Sequence, residues 1–203
     1  MVGAKDRATV FWARAAVFGA LWGFVEITLG GFLHSLRIPL IGVILAACEA
    51  GFLVAVHRLH PHRGLVTAVA LVAALLRGLT PVGALFTPLV AIFMEGVLVE
   101  LAFLLLPGVR LPAAVGGALC ALWSTAQMVV SHAIFLGLDA LRLYDALLLS
   151  GARLTGIAPE SRYLALVLPL SVLAGIGALG GLVGTRLGER TRKAGAVPRE
   201  VPT

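Results

Sequence analysis

Charge is the scarcest ingredient of this chain. Asp, Glu, Lys and Arg make up 13% of its 203 residues against 60% hydrophobic ones. Its mean hydropathy is +1.02, which excludes an ordinary soluble domain, where about a quarter of residues are charged. No charged residue occurs in 111–138 or in 163–185. Each run exceeds the roughly 20 residues that carry a helix across about 30 Å of hydrocarbon. Alternation of apolar and polar residues is missing as well, which argues against a membrane β-barrel. Both cysteines, Cys48 and Cys120, sit inside apolar runs, so they read as buried thiols rather than a disulfide and say nothing of redox compartment. H-E-x-x-H, G-x-S-x-G and P-loop patterns are absent. Without a Walker motif, any energy input must come from an ion gradient or another subunit.

What is present reads as an all-α membrane protein, a bundle of six transmembrane helices over residues 1–188. The expected spans are 11–33, 38–56, 64–79, 82–106, 111–138 and 163–185. The third is the shortest and carries Arg77 near its end, so it should tilt little, thin the bilayer or let the arginine snorkel. The first continues past the length of a signal-peptide core and is expected to be retained. Residues 189–203 form a charged, Pro-containing tail without a core-forming pattern, expected to be disordered. With six crossings one side collects Lys5, Arg7, Arg14, Arg58, Arg63, Arg110, Arg186, Arg190, Arg192, Lys193 and Arg199, eleven of the sixteen cations. By the positive-inside rule that side, with both termini, is cytoplasmic. The net charge of +6 then reflects topology and anionic headgroups, and implies no nucleic-acid partner. The long outer connection, about 139–162, is either a surface loop anchored by its leucines or a lid over an outward-facing pocket.

Helix periodicity puts Ala15, Ala16, Gly19, Gly23, Glu26 and Gly30 on one stripe of the first span. Gly177, Gly181, Gly184 and Gly188 make a second on the sixth. Small residues at this spacing let another helix approach closely, within the chain or on a partner. On the fifth span Cys120, Ser124, Gln127 and Ser131, with His132 beside them, should look inward because lipid offers no partner.

Ionisable groups inside the spans face a protein interior. Glu26, His34, Arg37, Arg77, Thr80, Thr87 and His132 converge on the outer half; all of these but Thr87, with Gln127 of the polar stripe and Asp139 and Tyr144 of the long loop, are the candidate substrate-binding residues. Glu26 and Arg77 are open to a second reading, a structural buried ion pair. Glu49 and Glu95 fall near mid-membrane, and Glu100 nearer the cytoplasm in an inner polar patch. His57-x-x-His60-x-His62 has ligand-like spacing but lies in a basic turn, where imidazoles serve as polar interface groups; no metal and no cofactor are assigned.

Residues 16–20, AVFGA, carry an Ala-x-x-x-Ala motif, and the segments GALWGFVEITLGG and RIPLIGVILAACEAGF flank the first outer turn. In these features and in whole-chain layout the protein resembles the substrate-binding S components of energy-coupling factor vitamin transporters. The resemblance implies a multi-pass protein of a bacterial-type cytoplasmic membrane that takes up a vitamin or cofactor precursor without covalent chemistry. It implies a transmembrane coupling subunit, with ATPase subunits, meeting Ala16, Ala20 and Gly23. It also implies a ligand held under 30–39, 77–88 and 136–159, with Trp22, Trp123 and Tyr144 as stacking surfaces. The Met-His start of the metal-specific branch is not matched by Met1-Val2-Gly3, and the ligand stays open. Two other classes remain: an ion- or proton-coupled carrier relaying through Glu49, Glu95 and Glu100, and a membrane enzyme using the histidines and carboxylates.

Overall fold

A computed structural model describes residues 4–35, 41–79, 86–136, 149 and 162–196, and all of the secondary structure among them is helical. The first span is α1 (Ala4–Val25), a π-helical turn Glu26–Gly30 and α2 (Gly31–Ser35). Then come α3 (Ile41–Leu59), α4 (Leu65–Gly78), α5 (Phe86–Leu105), α6 (Arg110–Leu136) and α7 (Arg162–Ala196). Backbone N–H and C=O groups find no partner in hydrocarbon, so an apolar run this long must satisfy them internally as a helix. Among the described residues five helical stretches are long and apolar enough to cross a membrane: Asp6–Leu33, Ile41–Leu59, Pro88–Leu105, Arg110–Ser131 and Val167–Gly195. The large side chains they expose, such as Val17, Phe24, Phe32, Leu105, Val130 and Leu179, form an apolar exterior, which a water-soluble protein does not present on this scale.

The third expected span is the short one, as its length suggested. α4 has 14 residues, about 21 Å of helix, less than the hydrocarbon thickness. It is a core element, with Leu65, Val66, Val69, Ala70, Ala73 and Ala74 buried between α1 and α5. Its start shows why it begins where it does. Gly64 holds φ 80, ψ −9 and offers no side-chain cap. The Glu100 carboxylate of α5 takes that role, accepting the N–H groups of Gly64 at 2.7 Å, Val66 at 3.1 Å and Thr67 at 3.4 Å. The Leu65 N–H donates to the His62 carbonyl at 3.2 Å. Every orphan donor of the first turn is thus used, and a negative charge sits at the positive end of the helix.

α3 is the centre of the bundle, in contact with α1, α4, α5, α6 and α7. α7 lies in the groove between α3 and α6, and its glycines divide by face. Gly180 and Gly184 meet the backbone of Ala47 and Gly51 on α3, while Gly177 and Gly181 meet Gly117 and Ala113 on α6. This small-residue stripe is spent on packing within the chain. These pairs also fix helix direction: α7 runs parallel to α3 and antiparallel to α6. In the same way Gly19 against Val69 and Val72, then Gly23 against Ala73 and Leu76, set α1 parallel to α4.

Two expectations are corrected here. The disordered tail was drawn too early, because α7 continues as helix through Glu189 to Ala196. Arg58 Nη2 donates to Glu189 Oε1 at 3.0 Å, and Glu189 precedes Lys193 by one helical turn in the favourable orientation; the exposed pair itself is worth about 1 kcal/mol or less. The cysteines are free, as expected, but only Cys120 is buried; Cys48 is on the exposed face of α3.

Candidate functional site

Glu26 opens the π-helical turn, the one irregularity in the first span. The extra residue per turn leaves backbone carbonyls poorly served. Thr28 compensates, its hydroxyl donating to Phe24 O at 2.8 Å and reaching Val25 O at 3.3 Å. The Glu26 side chain is half-buried, and its carboxylate lies over Gly30, where a Cβ would stand 3.4 Å from Oε1 and 3.6 Å from Leu45 on α3. Advancing the α1/α4 register by one turn beyond Gly23 puts Glu26 on the level of Arg77, which is half-buried in the last turn of α4. Gln127 is buried on the inward face of α6. Cys120 is buried on that face as well, and Ser124 faces Gly42 of α3. His34 and His132 stand on α2 and α6, with their side chains outside the description. Arg37, Thr80, Asp139 and Tyr144 lie outside the described residues, as does most of the long outer loop.

One helical turn further in, the structure brings together the two acids that the sequence placed near mid-membrane. The carboxyls of Glu49 on α3 and Glu95 on α5 are 2% and 3% exposed and lie within interaction distance of each other and of Glu26. The Trp22 indole N–H lies beside Glu49 but makes no hydrogen bond, and Glu49 Oε1 and Glu95 Oε2 also have no partner. Cys120 completes the layer, its thiol donating to the Glu95 carbonyl oxygen at 3.5 Å. The sequence placed both acids in apolar runs at one depth; that they face each other follows from the packing of α3 against α5.

Several other singled-out groups are placed by the fold. Trp22 is a core residue, 4% exposed and stacked on Phe52 with ring centroids 5.3 Å apart, so it offers no free surface to a ligand. Trp123 is half-buried. Glu100 is committed to the start of α4 through its three backbone donors. The histidine triplet is split: the His57 ring stacks on Phe103 of α5 at 4.0 Å, His60 leans on Phe18 of α1 at 5.7 Å, and His62 is exposed. Burial, then Arg14 and His62, hold the His60 imidazole below its ordinary pKa, favouring the neutral ring. Among the described residues no group of three His, Cys, Asp or Glu side chains is placed to hold a metal ion.

The expected partner face divides. Ala16 and Ala20 are exposed, on the apolar side of α1 with Val17, Leu21 and Phe24, whereas Gly23 is buried against Ala73 and Leu76 of α4. The stripe border runs between them because Gly19 and Gly23 are turned toward α4. No family model, curated protein or solved structure matches this chain.

Proposed function

We propose that the protein is the membrane-embedded substrate-binding subunit of an uptake system for a vitamin or cofactor precursor, similar to S components of energy-coupling factor transporters. In this reading six helices cross a bacterial-type cytoplasmic membrane, with both ends in the cytoplasm. The helix directions support that arrangement: the start of α1, the α3–α4 and α5–α6 turns and the end of α7 share the end of the bundle where Arg14, Arg58, Arg63, Arg110, Arg186 and Arg190 collect.

The observation that carries the proposal is the π-helical turn at Glu26, in the half of the bundle away from the basic end. Such turns inside long helices concentrate at functional sites, and this one sets a carboxylate on the level of the Arg77 guanidinium. An anion and a cation in one outer layer suit a small molecule bearing both charges or several polar groups. Glu26 and Arg77 are the anchors, Gln127 is a deeper polar contact, and His34, Arg37, Thr80, His132, Asp139 and Tyr144 complete the lining. Energy comes from a coupling subunit with ATPases that docks on the exposed Ala16 and Ala20 face of α1.

Native mass spectrometry of the purified protein should find a co-purified small molecule of vitamin size. Glu26→Gln and Arg77→Gln should each weaken its retention about 10- to 100-fold, the loss of one charged hydrogen-bond partner. Lipid adducts alone, or an adduct indifferent to both changes, would sink the reading. Because Ala16 and Ala20 are exposed, leucine at both should leave folding intact yet abolish co-purification with the coupling subunit; an undisturbed complex would rule out that face.

A further inference from the structure

We infer that Glu49 and Glu95 form a proton-binding site at the centre of the bundle, which loads and releases a single proton. The carboxyls come from different helices, are almost completely buried and lie within interaction distance of each other. One retained hydrogen lets an O–H of one carboxyl donate to an oxygen of the other, so that the pair carries one proton more than two carboxylates would. Two negative charges this close, away from water, repel strongly, which keeps the hydrogen in place.

The second observation is the idle polar atoms around the pair. The Trp22 N–H is fixed beside Glu49 by the stack on Phe52 and has no hydrogen-bond partner, and one oxygen of each carboxyl is equally unserved. Buried polar atoms are rarely left so. The set makes sense for a group that exists in two charge states. With the proton bound, the carboxyls satisfy each other and the indole donor is spare. When the O–H bond breaks and the proton passes to solvent water, the carboxylate left on Glu49 takes the indole N–H as a charge-assisted donor. Trp22 thus supplies the partner that the emptied site requires.

The surroundings set the sign of each perturbation. Glu26, from the π-helical turn, brings a third carboxyl toward the pair. From α6 the pair meets the Cys120 thiol. Residues 65–76 of α4 and 163–185 of α7 carry no Asp, Glu, Lys, Arg or His. Arg77 stands at the outer end of α4, on the level of Glu26. The inference stands on the carboxyl pair and Trp22, not on the uptake reading, and its test reads the proton rather than transport.

Infrared difference spectra of the full-length protein in lipid nanodiscs, taken between mildly acidic and mildly alkaline pH, should show a protonated-carboxyl band that disappears on alkalinisation. It should be missing from the Glu49→Gln/Glu95→Gln double variant. Trp22→Phe keeps the aromatic stack and removes the donor, so the band should persist to more alkaline pH; Glu26→Gln removes the neighbouring charge, so the band should vanish at less alkaline pH. Both single variants retain the pair and keep the test decisive even where the double variant fails to fold. A band unaffected by pH, a band that survives in the double variant, or a Trp22→Phe profile identical to that of the unmodified protein overturns the site.

Discussion

Gly181→Leu should leave almost no folded protein in the membrane fraction. A Cβ at this position collides with the Ala113 carbonyl oxygen and stands 2.8 Å from its carbon, so the contact is with backbone and no rotamer change relieves it. The only relief is to move α7 off α6, which also lifts Gly180 and Gly184 from Ala47 and Gly51 on α3. In a membrane, helices associate mainly through close packing, because lipid tails are as apolar as the side chains. Overpacking therefore costs about 3 kcal/mol or more here. Gly175 on the same helix is the control: nothing lies within 4 Å of its Cβ position. Gly175→Ala should fold normally or gain up to about 1 kcal/mol from helix propensity. Yield and thermal melting in nanodiscs separate the two outcomes, and equal behaviour of both variants would refute the role given to the α6/α7 contact.

Glu100→Ala is expected to be the most damaging change of a single charged residue. Three backbone donors, on Gly64, Val66 and Thr67, lose their acceptor at once, in a place where Glu100 is only 5% exposed. The Val66 donor is buried and those of Gly64 and Thr67 are part-buried, so the loss is about 1–3 kcal/mol. Glu100→Gln keeps one acceptor oxygen but gives up the charge at the helix N-terminus, and should fall between the two. Hydrogen exchange at residues 64–67 is the discriminating measurement, since the variant should lose protection there first. Protection unchanged at these amides would mean that Glu100 is not what holds the start of α4. A proton-relay role for Glu100 would instead leave stability untouched and alter only pH dependence.

Much of the architecture was legible in the chain itself. Uncharged runs as long as 111–138 and 163–185 have one stable solution in hydrocarbon, a helix that satisfies its own backbone, so the helical class followed from composition and length. The inward face of α6 was legible for the same reason, because Gln127 and Cys120 have no partners in lipid. The glycines of α7 announced a close approach, since their spacing returns every turn to the same face.

Which helix each glycine would meet was settled only by the fold, because periodicity gives a face and a depth but never a neighbour. Thus Gly23 went to α4 while Ala16 and Ala20 stayed outside, and Trp22 became core by stacking on Phe52. Glu100 turned out to cap a helix whose N-cap residue, Gly64, lies 36 residues before it. The meeting of Glu49 with Glu95 belongs to this second category. Each acid was visible as costly in isolation, yet its physical meaning lies in the closeness of the two carboxyls, which arises only once α3 and α5 are packed side by side.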